Sequence, residues 1–341
     1  MTRSFWVWAR PLAGVGILTV LLWRLGTGPF LAGLREIDAW ALAAALGIGA
    51  LTTVCCAWRW SLVARGLGVR LPLGTAVAHC YRSVFLNATL PGGVLGDVHR
   101  AVSHGRDAGD VGRGIRAVVW ERTAGQAVQL AMAVVVLTAF PSPVRAYLPA
   151  AVAVVVAVGL GAVLLFLLSR AAPRGGLLSR LATGDRFARL PRALRAARAD
   201  LREGVLARGT WPGIVLASVV VVAGHLATFV IAAYAAGATA PLSRLVPLTL
   251  LALLAMGLPV NVGGWGPREG VAAWAFGAAG LTVTQGVATA VAYGVLVLVS
   301  SLPGAGVLML PRIGRVWRSW RTPVVAGRSR VPVAVGQRSP V

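Results

Sequence analysis

The sequence predicts an all-α integral membrane protein with six full spans and two re-entrant helical hairpins arranged as an inverted repeat. Three observations carry that expectation. First, 57% of the 341 residues are hydrophobic, 13% are charged and the mean hydropathy is +0.77. Soluble domains carry about 25% charged residues. So few polar side chains cannot cover a globule of this size, and several apolar runs exceed the ~18 residues that mark a membrane helix. Second, the basic residues crowd into alternate gaps between those runs. Third, two apolar segments that fit no simple span are each interrupted by Pro and Gly. The composition excludes intrinsic disorder, and three cysteines do not make a disulfide framework.

The six spans fall at about 9–30, 39–60, 117–140, 147–169, 211–236 and 283–310. All 33 basic residues are Arg, and the net charge is +23. On a soluble chain such a charge would suggest nucleic acid. Here the Arg lie between spans, as expected for loops facing an anionic cytoplasmic leaflet, so no nucleic-acid partner is expected. Arg3 and Arg10 precede span 1, and Arg65 and Arg70 follow span 2. Arg100, Arg106, Arg113 and Arg116 precede span 3. Ten Arg lie between Arg170 and Arg208, and seven follow span 6. The opposite gaps hold Arg35, Arg145 and Arg244. Both termini are therefore expected in the cytoplasm of a bacterial cell, with the chain in its plasma membrane. Residues 1–311 form the expected membrane domain, with an Arg-rich cytoplasmic loop at 170–209 and a basic, disordered tail at 312–341.

Residues 74–96 begin and end on the cytoplasmic side by this reckoning, and residues 245–281 begin and end outside. Pro removes a backbone donor and Gly weakens a helix, so the chain is expected to turn back at Leu90-Pro91-Gly92-Gly93 and again at 258–267. Turn positions are Pro91, Gly92, Gly93 and Gly96 in the first hairpin and Pro259, Gly263, Gly264 and Gly266 in the second. Backbone freed from helical bonding at membrane depth must be buried in protein or line a wet cavity. Span 2, hairpin 1 and span 3 then mirror span 5, hairpin 2 and span 6, the inverted pattern of many secondary transporters.

An ionisable side chain inside a membrane costs at least ~2.5–3.5 kcal/mol, which makes each one a functional candidate. Asp97, Glu121 and Glu269 stand at the hairpins or the start of span 3, with Arg100, Arg122 and Arg268 beside them and Arg82 in the first arm. Asn87 and Asn261 add amides at the two breaks. One reading is a polar chamber in which Arg grips a phosphate, helix ends at the Gly turns offer free N–H groups, and carboxylates position the Arg or carry a proton. The other is that Asp97–Arg100 and Arg268–Glu269 are interfacial salt bridges that fix the hairpins. His79, His99, His104 and His225 make no metal-ligand spacing, and no cofactor motif occurs. His225 reads as a packed polar residue of span 5, and Cys55, Cys56 and Cys80 as small core residues.

The segments RSVFLNATLPGGVLGDVHR (82–100), VVWERTAG (118–125) and LPVNVGGWGPREG (258–270) resemble the flippase-like membrane region of the lysylphosphatidylglycerol synthase family. The resemblance implies movement of an aminoacylated or glycosylated phospholipid between leaflets. By matching position it implies that Arg82, Asn87, Pro91, Gly96, Asp97, Arg100, Glu121, Arg122, Pro259, Gly263, Gly264, Arg268 and Glu269 line or shape the headgroup path. Leu95-Gly96 precedes Asp97 where the family often has Gly-Gly. Residues 312–341 hold no counterpart of the synthase's aminoacyl-transferase domain, so a separate enzyme is expected to make the lipid. The leading expectation is a translocase of membrane phospholipid with an anionic headgroup, without catalytic residues. A membrane-embedded lipid-modifying enzyme and a non-transporting scaffold are the alternatives.

Overall fold

A computed structural model describes residues 37–90, 93–147, 196–257 and 265–309, with isolated positions in 19–35 and 149–153. The described residues are helical. Long α1 (Ala39–Gly66) is followed by short α2 (Leu73–Thr89) and α3 (Leu95–Asp107), and then by long α4 (Val111–Ala139). The second half runs in the same order through long α5 (Trp211–Ala235), short α6 (Leu242–Met256) and α7 (Pro267–Ala278), and long α8 (Val283–Ser301, continuing as an apolar helical segment to Met309). The four long helices are each apolar enough to cross a membrane. They carry large exposed apolar side chains on their outer faces, such as Leu51 and Val54 on α1, Leu130 and Val135 on α4, and Leu216 on α5. Water would not tolerate those faces, but hydrocarbon does. The chain is a multi-pass membrane protein.

Span boundaries move where polar residues join helices. α1 runs six residues past the expected 60, taking in Arg65. α4 starts at Val111 rather than 117, because Asp110 caps it by accepting the Arg113 N–H at 2.9 Å. The first interrupted segment extends beyond 74–96: its break falls between Thr89 and Leu95, and the helix after it, α3, carries Arg100 buried rather than as a flanking charge. The second break separates α6 and α7 within 245–281 as expected. Spans 9–30 and 147–169 and the tail 312–341 lie largely or wholly outside the described residues, as does most of the loop 170–209. Of that loop, residues 196–200 are helical and Leu201–Val205 form a π-helical turn packed on α1, where Gly204 sits against Gly66.

The two halves repeat each other in detail. Helix starts at Ala39, Leu95 and Val111 recur at Trp211, Pro267 and Val283, at one constant interval along the chain. At the same interval Asp110, capping α4, is matched by Thr282, whose hydroxyl caps α8 by accepting from Gln285 N. Neighbouring pairs repeat as well. α3 packs on α4 as α7 does on α8, α4 touches α6 as α8 touches α2, and α1 packs along α5 at the centre. That central pair is antiparallel, since Gly213 meets Leu62, Ser218 meets Arg59 and Gly224 meets Thr52. Small residues bring these backbones close, which is how helices associate where lipid removes the hydrophobic drive. A core of Phe229, Leu250, Tyr293 and Leu296 closes the centre, with Phe229 and Tyr293 stacked at 4.4 Å.

Candidate functional site

Glu121 organises the first half. It sits ten residues into α4, about 15 Å along the helix axis, and is wholly buried. Its Oε1 accepts from Arg59 through Nε at 2.9 Å and through Nη2, and its Oε2 accepts from Arg100 Nη2 at 2.5 Å. Arg59 also donates to Ser218 Oγ on α5 at 2.9 Å, tying the halves together. Gly125, one turn above Glu121, leaves the room that Arg59 fills, because a Cβ there would lie 2.8 Å from its Nη1. The Arg100 guanidinium lies 4.8 Å over the ring of buried Trp60.

Asp97 is the second anion. Its Oδ1 accepts from Arg100 Nε at 2.9 Å, from Arg122 Nη2 at 2.7 Å and from Ser83 Oγ at 2.9 Å, and its Oδ2 accepts from Asn87 Nδ2 at 3.2 Å. Three guanidinium groups thus surround two carboxylates. Arg100 is enclosed by both, so the unbalanced positive charge belongs to Arg59 and Arg122, whose side chains turn toward open space. Arg122 leans to Asp97 rather than to its sequence neighbour Glu121, 3.8 Å away, and its side chain is 43% exposed.

That open space is a cavity of about 230 Å³ between the halves, lined by Arg59, Arg122, Gln126, Gln129, His225 and Tyr293 among others. A neighbouring cavity of about 100 Å³ shares Arg59, Arg122, Val221 and His225 with it. Gln126 points at Gly257, where the second break begins. The first break reaches the same place through Asp97 and Arg122. The flanks of both interruptions therefore meet at one polar cavity inside a bundle of apolar helices.

In the second half, Arg268 donates to Glu269 Oε1 through Nε at 2.9 Å and through Nη2, and both residues are buried. Glu269 Oε2 accepts the Gly266 N–H at 2.7 Å. The Arg268 guanidinium lies 4.8 Å from the Trp265 ring and 5.3 Å from Tyr293, whose hydroxyl meets His225 Nδ1 at 3.0 Å. The two ion clusters stay separate: Arg59 and Arg122 of the first line the cavity, whereas the second meets it through Tyr293.

The structure therefore gathers Asn87, Asp97, Arg100, Glu121 and Arg122, and puts Arg268 and Glu269 one aromatic ring away. Arg82 stands apart, donating to Val307 O at 3.3 Å. Pro91, Gly92, Pro259, Asn261, Gly263 and Gly264 lie outside the described residues. Gly93 and Gly266 have positive φ, +60° and +108°, which suits residues at a turn. Gly96 serves close packing instead, since a Cβ would lie 2.2 Å from Ser83 O. At each helix end one N–H is already taken: Asn87 Oδ1 accepts from Gly96 N at 2.8 Å, and Glu269 Oε2 accepts from Gly266 N at 2.7 Å. Sequence reasoning missed Arg59, hidden within an apolar span, and Tyr293 and His225. An Arg flanked by Trp58 and Trp60 at the end of the expected span was the available signal. Cys80 is buried as expected, while Cys56 is half-buried, donates to Glu121 Oε1 at 3.5 Å and lines the smaller cavity.

The family model of the lysylphosphatidylglycerol synthase TM region matches residues 7–304. The chain belongs to that family. Among curated proteins no sequence matches it. The lysylphosphatidylglycerol synthase TM region as it occurs here includes both breaks and every residue of the two ion clusters, and membership supports a lipid-related role in the membrane.

Proposed function

We propose that this protein moves a phospholipid headgroup between the two leaflets, with the phosphate held by Arg59 and Arg122 in the cavity between the halves. The surplus guanidinium charge facing a cavity enclosed by apolar helices is the observation that carries the reading. Arg is suited to phosphate because its planar fork can donate two parallel bonds. The antiparallel α1–α5 pairing and the repeated order of long and short helices support an inverted repeat, whose broken helices α2–α3 and α6–α7 enter as re-entrant hairpins from opposite faces. Alternating exposure of a central site is the mechanism such repeats provide. The Arg distribution supports a cytoplasmic position for both termini. Movement without bond-making is the reading for the carboxylates, because Asp97, Glu121 and Glu269 are each engaged by guanidinium groups. General acid–base work would need such a group free to reach a reacting atom. A separate enzyme then supplies the lipid.

The test is headgroup exchange in liposomes, followed by quenching acyl-labelled phospholipid from outside. Wild-type protein accelerates exchange, and Arg122→Ala removes the acceleration while the detergent-solubilised variant keeps its helical circular-dichroism spectrum. Exchange that Arg122→Ala leaves untouched overturns the site.

A further inference from the structure

The charge pattern of the cavity narrows the headgroup, given that the cavity is the transport site. The sequence has ten acidic residues, and in the two hairpins and the helices that follow them the interior ones are Asp97, Glu121 and Glu269. Each is already occupied: Glu121 by Arg59 and Arg100, Asp97 by Arg100 and Arg122, and Glu269 by Arg268 and the Gly266 N–H. Among the described residues no carboxylate lines either cavity. The charged side chains that do line them are Arg59 and Arg122, both cationic. A headgroup ammonium would enter a field of its own sign and find no anion there.

The uncharged lining is of the opposite character. Arg122, Gln126 and Gln129 recur at helical spacing along one face of α4, so two amides follow the guanidinium away from Asp97. An amide both donates and accepts, and the hydroxyls of Thr52, Thr53 and Ser300 in the smaller cavity, whose protons go to Gly49 O and Val297 O, keep lone pairs that accept. That is the equipment for sugar or polyol hydroxyls. The larger cavity, about 230 Å³, also falls below the ~300–1,000 Å³ of sites for drug-sized ligands. It suits a phosphate with a few attached heavy atoms rather than an oligosaccharide.

We infer that the transported headgroup is a small, net-anionic phosphodiester bearing hydroxyls, and that the surplus of Arg59 and Arg122 over free carboxylates rejects headgroups carrying ammonium groups. Aminoacylation of the same lipid therefore converts a substrate into a non-substrate for this chain. The phosphate sits between the two guanidinium groups, and the hydroxyls reach Gln126 and Gln129.

Purified protein is reconstituted in phosphatidylcholine vesicles with acyl-labelled phosphatidylglycerol or acyl-labelled lysyl-phosphatidylglycerol, which share the phosphodiester and differ by two ammonium groups. The expected result is exchange of phosphatidylglycerol at least tenfold faster than of its lysyl ester. Gln126→Glu, which places an unpaired carboxylate on the lining, narrows or reverses that ratio. Equal rates, or a faster lysyl ester, in wild-type protein overturn the inference while leaving translocation standing. Should neither lipid be accelerated, translocation itself fails, and selectivity is decided by binding of the short-chain dihexanoyl forms. Greater thermal stabilisation of the detergent-solubilised protein by the phosphatidylglycerol form keeps the selectivity, and equal or smaller stabilisation ends it.

Discussion

Asp97 and Glu269 occupy the same place in two helices: each is the third residue of the helix that follows a break, and each accepts from an Arg beside it. The surroundings differ in a way that sets their energetics. Asp97 shares its charge with Arg100, Arg122, Ser83 and Asn87 and is 15% exposed, whereas Glu269 is wholly buried against Arg268 and Gly266 N. At the interval relating the halves, Glu121 is answered by Tyr293. One half thus holds a charged network where the other holds an aromatic ring under a guanidinium. The repeat keeps the framework and varies the chemistry.

Glu269→Gln is expected to be more destabilising than Asp97→Asn. Arg268 is 2% exposed, and among the described residues its anionic partner is Glu269, so neutralising that carboxylate strands a buried cation. Breaking one side of a buried pair costs about 3–5 kcal/mol. After Asp97→Asn, Arg100 keeps Glu121 and Arg122 has access to solvent, so the expected loss is less than half as great. Thermal unfolding of the two variants in one detergent ranks them, and the reverse order would contradict the burial argument.

Glu121→Gln leaves Arg59 and Arg100 short of their shared anion, and a loss of about 3–5 kcal/mol is again expected. Combining it with Arg59→Met removes one stranded charge and replaces it with an apolar side chain of related length. The double variant should therefore unfold at a higher temperature than Glu121→Gln alone. Coupling of the two substitutions, measured as a double-mutant cycle, is the readout. Simple additivity would mean that the two side chains do not share one network.

Two glycines make a paired prediction. Gly114 on α4 faces α3, where a Cβ would lie 2.6 Å from Ala101 O, and its counterpart Gly286 on α8 would put one 2.4 Å from Ala272 O. Both contacts are with backbone that cannot swing away. Ala at either site is expected to cost about 1–3 kcal/mol through forced separation of the helices. Gly74→Ala, with open space around it, should be neutral or slightly stabilising. The comparison is read from unfolding temperatures in detergent.

Much of this architecture was legible in the chain because membrane physics leaves few choices. The apolar runs at 211–236 and 283–310 return as α5 and the extended α8 almost residue for residue, and the Pro/Gly interruptions fall where helices end. Asp97, Arg100, Glu121 and Arg122 were visible as scarce charges. What local sequence could not convey was their pairing. Arg122 prefers Asp97 over adjacent Glu121 because α3 folds back on α4, a relation set by Gly105 and Gly114 at the crossing. Arg59 escaped notice because it stands one residue from the expected end of its span, and only tertiary packing reveals a Glu opposite. The backbone N–H groups at Gly96 and Gly266 looked free until side chains distant by nine and three residues were seen to cap them.

The native cysteines give a direct test of the cavity. Cys56 and Cys80 both lie close to the Glu121 network, Cys80 accepting from Arg100 Nη1 at 3.6 Å, yet Cys56 lines the smaller cavity and Cys80 is 1% exposed. In a Cys55→Ala background, a small water-soluble thiosulfonate should modify Cys56 at least tenfold faster than Cys80 in reconstituted protein. Anionic phospholipid seated at Arg59 and Arg122 shields that route, so phosphatidylglycerol in the vesicles should slow the modification of Cys56. Arg122→Ala should abolish the shielding without lowering the unprotected rate. Labelling is quantified by mass spectrometry of the separate peptides. Equal modification of the two thiols, or a rate for Cys56 indifferent to anionic lipid, would mean that water and headgroups do not reach the space beside Glu121.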